Sequence, residues 1–147
     1  MDLSVFEELI GYEFKDKELL KRALTHSSYA NEKGTGLDNE RLEFLGDAIL
    51  ESVVSDILYH HFEKRHEGFL TATRSKIVQR ESLNRLAKEM GIDKLIQTST
   101  RNHSAHSHLG GNAFEALMGA IYLDKGYKAC QKFVLKQILG RLMDLDG

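Results

Sequence analysis

The 147-residue chain contains no proline. Its apolar residues recur mostly at helical spacing, and the strict alternation of apolar and polar residues that marks a half-buried strand is absent. We therefore expect an all-α fold. No internal repeat or low-complexity linker divides the chain, so we expect residues 1–147 to form a single domain.

Residue types that begin and end helices predict where the helices lie. Three early helices are expected: one capped by Ser4 and ended by Gly11, one capped by Asp16 and ending near Thr25, and one begun by Asp38 or Asn39 and ending near Phe62. The core-facing side of the third is expected to carry Leu42, Leu45, Ile49 and Val53. Later helices are expected near 70–79, 81–90, 112–124 and 127–143, with loops at 31–36, 67–68 and 99–111.

Two short helical stretches, 39–47 and 111–117, concentrate acidic and amide side chains. At about 100° per residue, Glu40, Glu43 and Asp47 lie within about 60° of one another on one helix face. Asn112 and Glu115 are likewise one turn apart. Stacked carboxylates destabilise a helix by a few tenths of a kcal/mol per pair, so this face indicates a use for negative charge. Oxygen ligands are those that Mg²⁺ takes, and we expect a divalent-cation site.

Bulk properties exclude several classes of protein. The formal net charge is −2, whereas a protein that held nucleic acid by bulk charge alone would be strongly basic. A polyanion must therefore meet local basic patches, bridging metal ions or a separate basic domain. No apolar run approaches the roughly 18 residues that span a bilayer, so we expect no membrane partner. Cys130 is the single cysteine, which indicates a reducing, intracellular compartment.

Five segments together resemble one known family. Glu40-Arg-Leu-Glu-Phe-Leu-Gly-Asp47 resembles the signature helix of the ribonuclease III family, and residues 112–124 resemble that family's second acidic motif. Residues 23–29, 67–71 and 74–78 also match its pattern, in the right order. The resemblance covers nearly the whole chain and is to the catalytic domain of the bacterial type. The double-stranded-RNA-binding domain that usually follows is expected to be missing.

This resemblance implies a metal-dependent endonuclease that hydrolyses double-stranded RNA to 5′-phosphate and 3′-hydroxyl ends. It implies that Glu43, Asp47 and Glu115 are metal ligands, with Asn112 in the fourth position. Asp47 and Glu115 would be the catalytic residues, and Glu40 would support them by ordering water or contacting RNA. The cofactor would be Mg²⁺, with Mn²⁺ able to substitute and no small-molecule cofactor. Bound Mg²⁺ acts as a Lewis acid and lowers the pKa of water, so no histidine or serine nucleophile is required.

The resemblance also implies a partner and a cellular setting. The phenylalanine of the signature helix, Phe44 here, packs in that family into a pocket on a symmetry-related subunit. A homodimer would then carry two acidic clusters across one groove, each cutting one strand of the duplex. The family acts in the cytoplasm on ribosomal RNA precursors and messenger RNA. A core position for Phe44 is the alternative.

Asn112 departs from the family pattern, which usually has aspartate at this position. An amide offers a carbonyl oxygen but no charge, so it binds Mg²⁺ more weakly than a carboxylate. Asn112 could ligate the ion or act through water in an active enzyme. Alternatively, the chain could be a catalytically weak or inactive module that binds double-stranded RNA, or a helical dimerisation domain whose acids are only solvated.

Other polar residues leave two interpretations open. Arg74, Lys76 and Arg80 could form a solvated helix face or contact RNA phosphates. The spacing of His103, His106 and His108 allows a zinc site, but it is loose and no cysteine or carboxylate stands close by, so ordinary loop histidines are the simpler interpretation.

Overall fold

The predicted all-α fold is confirmed. The computed structural model describes residues 2–99 and 109–146, with the side chains of 139–146 left aside. These ranges contain helices and no β-strand. In chain order the helices are α1 (Leu3–Ile10), α2 (Lys17–Ala23), α3 (Ser27–Lys33), α4 (Glu40–His61), α5 (Glu67–Val78), α6 (Arg80–Met90), a short 3₁₀ helix (Ile92–Lys94), α7 (Gly110–Lys125) and α8 (Tyr127–Asp146). No described helix is long and apolar enough to cross a lipid bilayer.

The centre of the fold is the pair α4 and α7, which share the most extensive helix–helix interface in the described part of the chain. A helix that is apolar on almost every side belongs in a protein core, and α7 is such a helix. Its fully buried residues are Ala113, Phe114, Ala116, Leu117, Met118, Ala120 and Ile121. The half-buried Asn112 and Glu115 are therefore polar exceptions on a core helix.

Helices α4 and α7 approach closely because a glycine on each faces the other helix. A Cβ added to Gly46 of α4 would overlap the backbone carbonyl of Glu115 on α7. A Cβ added to Gly119 would overlap the carbonyl of Leu42 on α4. Both positions therefore exclude any side chain, and the two backbones are in direct contact.

The start of α4 is fixed to the end of α2 by Asn39. This residue is only 5% exposed, and its Nδ2 donates to the carbonyl of Ala23 at 3.1 Å. Its own N–H donates to the carbonyl of Thr25 at 2.9 Å. Asn39 is thus a structural residue, although it belongs to the acidic and amide stretch of the sequence.

The end of α7 is fixed to the segment between α1 and α2 by Asp124. Its carboxylate accepts the hydroxyl of Tyr12 at 2.8 Å and the N–H groups of Lys15 and Asp16 at 3.0 Å each. Partial burial opposes ionisation, but these hydrogen bonds outweigh it and hold the pKa of Asp124 below its ordinary range. With Asn39 at one end and Asp124 at the other, the central pair is tied to the end of α2 and to the segment between α1 and α2.

Several predicted boundaries were wrong, and each has a local cause. The cap of α1 is Asp2, which accepts the N–H of Val5 at 3.0 Å, while Ser4 donates its hydroxyl to Asp2. Helix α3 occupies part of the loop predicted at 31–36. It begins because His26 Nδ1 accepts the N–H of Ser28 at 3.1 Å, a cap that sequence reasoning did not consider.

The remaining differences concern helix starts and the buried face of α4. The turn predicted at 67–68 is the first turn of α5, and α7 begins two residues before position 112. On α4, Leu42 and Val53 are buried as predicted, but Leu45 and Ile49 are only half-buried. The buried strip instead passes through Gly46, which contributes no apolar side chain to the sequence pattern.

Replacing Gly46 by alanine tests the close approach of α4 and α7. We expect Gly46→Ala to lower the free energy of unfolding by about 3 kcal/mol or more, because the new Cβ has no space against the Glu115 carbonyl. Gly68→Ala is the matched control, since Gly68 is an exposed residue of α5 and no atom lies within 4 Å of the Cβ that the substitution would add. It should be neutral or stabilising by about 0.5 kcal/mol. Urea unfolding curves measure both, and equal stability of the two variants would contradict the backbone contact.

Candidate active site

Asp47 and Glu115 meet across the contact between α4 and α7. Asp47 follows Gly46 in the chain, and the carbonyl that faces Gly46 belongs to Glu115. The two carboxyl groups form a hydrogen bond with each other. Two segments that are distant in sequence therefore present their acids at one place.

The environment of this carboxyl pair favours a retained proton. Burial, followed by the hydrogen bond and the charge of Asp47, raises the pKa of Glu115 from 4.5 to about 8. Glu43 also adds to this shift, while Arg80 opposes it. At neutral pH and without a cation, Glu115 therefore retains a proton, which it donates in its hydrogen bond to Asp47.

Glu43 extends the acidic cluster on α4. It is half-buried, and burial is the largest cause that raises its pKa; Arg80 acts in the opposite direction, and Glu40 and Asp47 add smaller increases. Glu40 itself is exposed at the first turn of α4. The structure therefore places Glu43 with Asp47 and Glu115, and Glu40 at the solvent edge of the cluster.

Asn112 is engaged by an arginine from α6. Nη1 of Arg80 donates to Oδ1 of Asn112 at 2.8 Å. One turn further along α6, the Oδ1 of Asn84 accepts the N–H of Gly111 at 2.7 Å. Two consecutive residues of α7 are thus held by two residues on one face of α6.

The first turn of α7 can approach α6 because it begins with two buried glycines. A Cβ on Gly110 would lie 2.9 Å from the Cβ of Ala87, and one on Gly111 would lie 2.8 Å from the Oδ1 of Asn84. This packing places Arg80 beside the acidic cluster. The sequence alone did not distinguish a solvated position for Arg80 from one that contacts an RNA phosphate.

Other predicted residues lie outside the cluster. Phe44 is 84% exposed, so the alternative of a core position is wrong. Arg74 donates to the hydroxyl of Ser55 at 2.9 Å, which is a structural contact between α5 and α4. Glu51, one turn after Asp47 on α4, is exposed. The three loop histidines, His103, His106 and His108, lie outside the described residues.

The chemistry of the donor set fits Mg²⁺. Among the residues that the structure describes, no three histidine, cysteine or carboxylate side chains form a ready-made metal cage. Mg²⁺ does not need one, since it is commonly bound by one or two carboxylates and keeps several waters. The half-buried Glu115, which retains a proton beside the exposed carboxylate of Asp47, offers a place where a divalent cation can displace that proton.

Comparison with known proteins decides the family. The family model described as Ribonuclease-III-like matches residues 16–142. The chain belongs to the ribonuclease III family. The protein named Ribonuclease 3 of Bacteroides fragilis is 56% identical over 145 residues, which cover 97% of this chain and 50% of that protein. This ribonuclease III family member thus spans about half the length of the curated relatives it matches.

Solved structures agree with this assignment. The crystal structure of the nuclease domain of ribonuclease III from Campylobacter jejuni matches with a TM-score of 0.86 and 35% identity, covering 95% of each chain. A second structure of that nuclease domain, described by its flexibility in a region involved in dimer formation, matches with a TM-score of 0.86 and 36% identity. It covers 95% of this chain and 97% of that one.

The shared proton of Glu115 predicts how stability depends on pH in a chelator. Because the pKa of Glu115 is raised by folding to about 8, the folded protein binds more protons than the unfolded chain between about pH 4.5 and that value. The free energy of unfolding should therefore fall as pH rises through this window, relative to Glu115→Gln, and level off above it. The variant keeps a hydrogen-bond donor to Asp47 at every pH.

Urea unfolding in EDTA at a series of pH values measures this difference. Glu51→Gln is the control, since Glu51 is an exposed carboxylate on the same helix. A difference curve between wild type and Glu115→Gln that stays flat from about pH 5 to about pH 8 would contradict the shared proton.

Proposed function

We propose that this chain is the catalytic domain of a Mg²⁺-dependent endoribonuclease that hydrolyses double-stranded RNA to 5′-phosphate and 3′-hydroxyl ends. The observation that supports it most is the Asp47–Glu115 pair, held together by the backbone contact between α4 and α7. Membership of the ribonuclease III family supports the reaction class. We further propose that residues 1–147 act as one domain and that structured precursors of ribosomal and messenger RNA in the cytoplasm are its substrates.

We assign the ion to the acidic cluster of α4 and α7. Asp47 and Glu115 would hold it as direct ligands and catalytic residues, Glu43 would complete the carboxylate set, and Glu40 would order water at the solvent edge. Mg²⁺, or Mn²⁺ in its place, supplies a Lewis acid and an activated water when bound. Asn112 uses one lone pair of its amide oxygen for Arg80, so the second remains for the ion or for a water.

The protein's own part in the reaction is to hold the carboxylates in place and to change the net charge of the cluster when a cation binds. Half-burial of Glu43 and Glu115 strengthens the electric field of their carboxylates, and the α4–α7 contact keeps Asp47 and Glu115 from separating. Without a cation these acids would repel an RNA phosphate. Exchange of the shared proton for a divalent ion reverses that repulsion, which couples RNA binding to metal binding.

We also propose that the chain forms a homodimer through Phe44. Its exposed ring stands beside Leu123, which is 55% exposed, on a concave surface of about 580 Å³. The same surface is also lined by Leu42, Leu45 and the charged residues Arg22, Glu40 and Arg41. A large exposed apolar patch marks an interaction surface, and a two-fold axis lets one patch meet its own copy.

Cleavage of duplex RNA tests the proposed reaction. We expect Asp47→Asn and Glu115→Gln each to lower the single-turnover rate in Mg²⁺ by about 100-fold or more, because loss of even an indirect metal contact commonly lowers activity 10- to 100-fold. Both variants should also lose the Mg²⁺-induced rise in melting temperature, since a ligand stabilises only the state that binds it. Digestion of the products by a 5′-phosphate-dependent exonuclease identifies their ends.

Glu51→Gln is the matched control for this experiment. It removes one carboxylate from the same face of α4, one turn beyond Asp47, and its rate should stay within about twofold of wild type. Equal cleavage by wild type, Asp47→Asn and Glu115→Gln would refute the assignment. Binding without cleavage in Mn²⁺, with cleavage gained by Asn112→Asp, would favour the alternative of an RNA-binding module.

Sedimentation velocity tests the proposed dimer. We expect Phe44→Ser to weaken self-association by about tenfold or more, because a buried aromatic side chain is worth about 1.5–3 kcal/mol. Tyr59→Ser is the control, since Tyr59 is a 68% exposed aromatic residue on the same helix. An unchanged dissociation constant for Phe44→Ser, or an equal loss in Tyr59→Ser, would contradict this interface.

A further inference from the structure

Arg80 is a cation that lies beside the acidic cluster. It is exposed, and its charge acts on both Glu43 and Glu115. Yet Arg80 forms none of the salt bridges found among the described residues. Its hydrogen bond goes to the neutral amide of Asn112 instead.

A neutral partner keeps the charge of Arg80 available. A guanidinium has five N–H donors in a rigid fork that matches carboxylate and phosphate oxygens. A carboxylate at position 112 would pair with this fork and neutralise it. The amide oxygen of Asn112 fixes the guanidinium through one donor and forms no ion pair with it.

The position of Arg80 is set by the packing of α6 against α7. Helix α6 is locked against the first turn of α7 by the Asn84–Gly111 hydrogen bond and by the two buried glycines there. Asn112 precedes Glu115 by three residues, which is about 4.5 Å along the helix axis. A phosphate placed over the Asp47–Glu115 pair would therefore lie next to the guanidinium.

We infer that Arg80 binds a phosphate oxygen of the RNA strand that lies over Asp47 and Glu115, and that Asn112 is the positioning residue that holds its guanidinium there. This inference rests on the proposed function for the identity of the substrate. It gives Asn112 a role that aspartate could not fill equally well. It also supplies a local positive charge in a chain whose net charge is −2.

Equilibrium RNA binding in Ca²⁺ tests this inference apart from cleavage, since Ca²⁺ also takes oxygen ligands. Fluorescence anisotropy with a labelled duplex is recorded at several KCl concentrations, and gels check that the RNA stays intact. We expect Arg80→Gln to raise the Kd by about tenfold, because a charge-assisted hydrogen bond is lost. The slope of log Kd against log salt concentration should also fall by about one for each acidic cluster that binds the RNA.

Arg85→Gln is the matched control, because Arg85 is another exposed arginine of α6. It should change the Kd by less than about twofold. Asn112→Ala should weaken binding in the same direction as Arg80→Gln, and the double variant should bind no more weakly than Arg80→Gln alone. Melting temperatures of all variants check that folding is intact.

Two results would overturn the inference. One is that Arg80→Gln and Arg85→Gln have the same Kd and the same salt slope. The other is that the effects of Arg80→Gln and Asn112→Ala simply add, which would mean that Asn112 does not act through Arg80. Cleavage by wild type in Mg²⁺ is measured in parallel. If wild type cleaves RNA while Arg80→Gln binds RNA as tightly as wild type, the phosphate contact is refuted and the nuclease assignment is retained. If wild type does not cleave RNA while Arg80→Gln binds it more weakly, the nuclease assignment is refuted and the phosphate contact is retained.

Discussion

The backbone contact between Gly46 and Gly119 is the constraint on which the candidate active site depends. It brings α4 and α7 closer than any pair of side chains would permit. Because Asp47 follows Gly46 and Glu115 lies one turn before Gly119, the same contact fixes the separation of the two acids. The glycines thus allow the two helices to approach, and the carboxylates supply the proposed metal ligands.

The protein stores electrostatic strain at this crossing. Ionising the half-buried Glu115 beside the carboxylate of Asp47 is unfavourable, and in the absence of a cation Glu115 therefore retains a proton. A group held in this state is ready to exchange its proton for a divalent ion, so metal affinity should rise with pH until that proton is lost. Asn39 ties α4 to the end of α2, and Asp124 ties α7 to the segment between α1 and α2, so both helices of the crossing are anchored to the rest of the fold.

The sequence predicts some parts of this arrangement well. Helical periodicity and the lack of proline indicate the all-α fold, and the spacing of Glu43 and Asp47 places them on one face of a helix whose ends were close to those predicted. The meeting of that face with Glu115 followed only from family resemblance, because periodicity carries no information about which helices touch. The roles assigned to these residues in catalysis and metal binding remain predictions.

Other features could not be found by pattern reasoning, for identifiable physical reasons. Gly46 lies on the buried strip of α4, yet a residue without a side chain is invisible to a hydrophobic pattern. The start of α3 depends on His26, an uncommon cap. The Arg80–Asn112 hydrogen bond joins residues 32 apart in sequence, and it exists only because α6 packs against the glycines of α7. This tertiary contact suggests a positioning role for the asparagine at position 112. Comparison with the family pattern alone shows only that the residue differs from the usual aspartate.

The most direct measurement of the central claim is anomalous diffraction from crystals of the protein soaked in Mn²⁺. The account predicts an anomalous peak within ligand distance of both the Asp47 and the Glu115 carboxylates. Ordered Mn²⁺ bound only elsewhere, with the two carboxyl groups still hydrogen-bonded to each other, would contradict it.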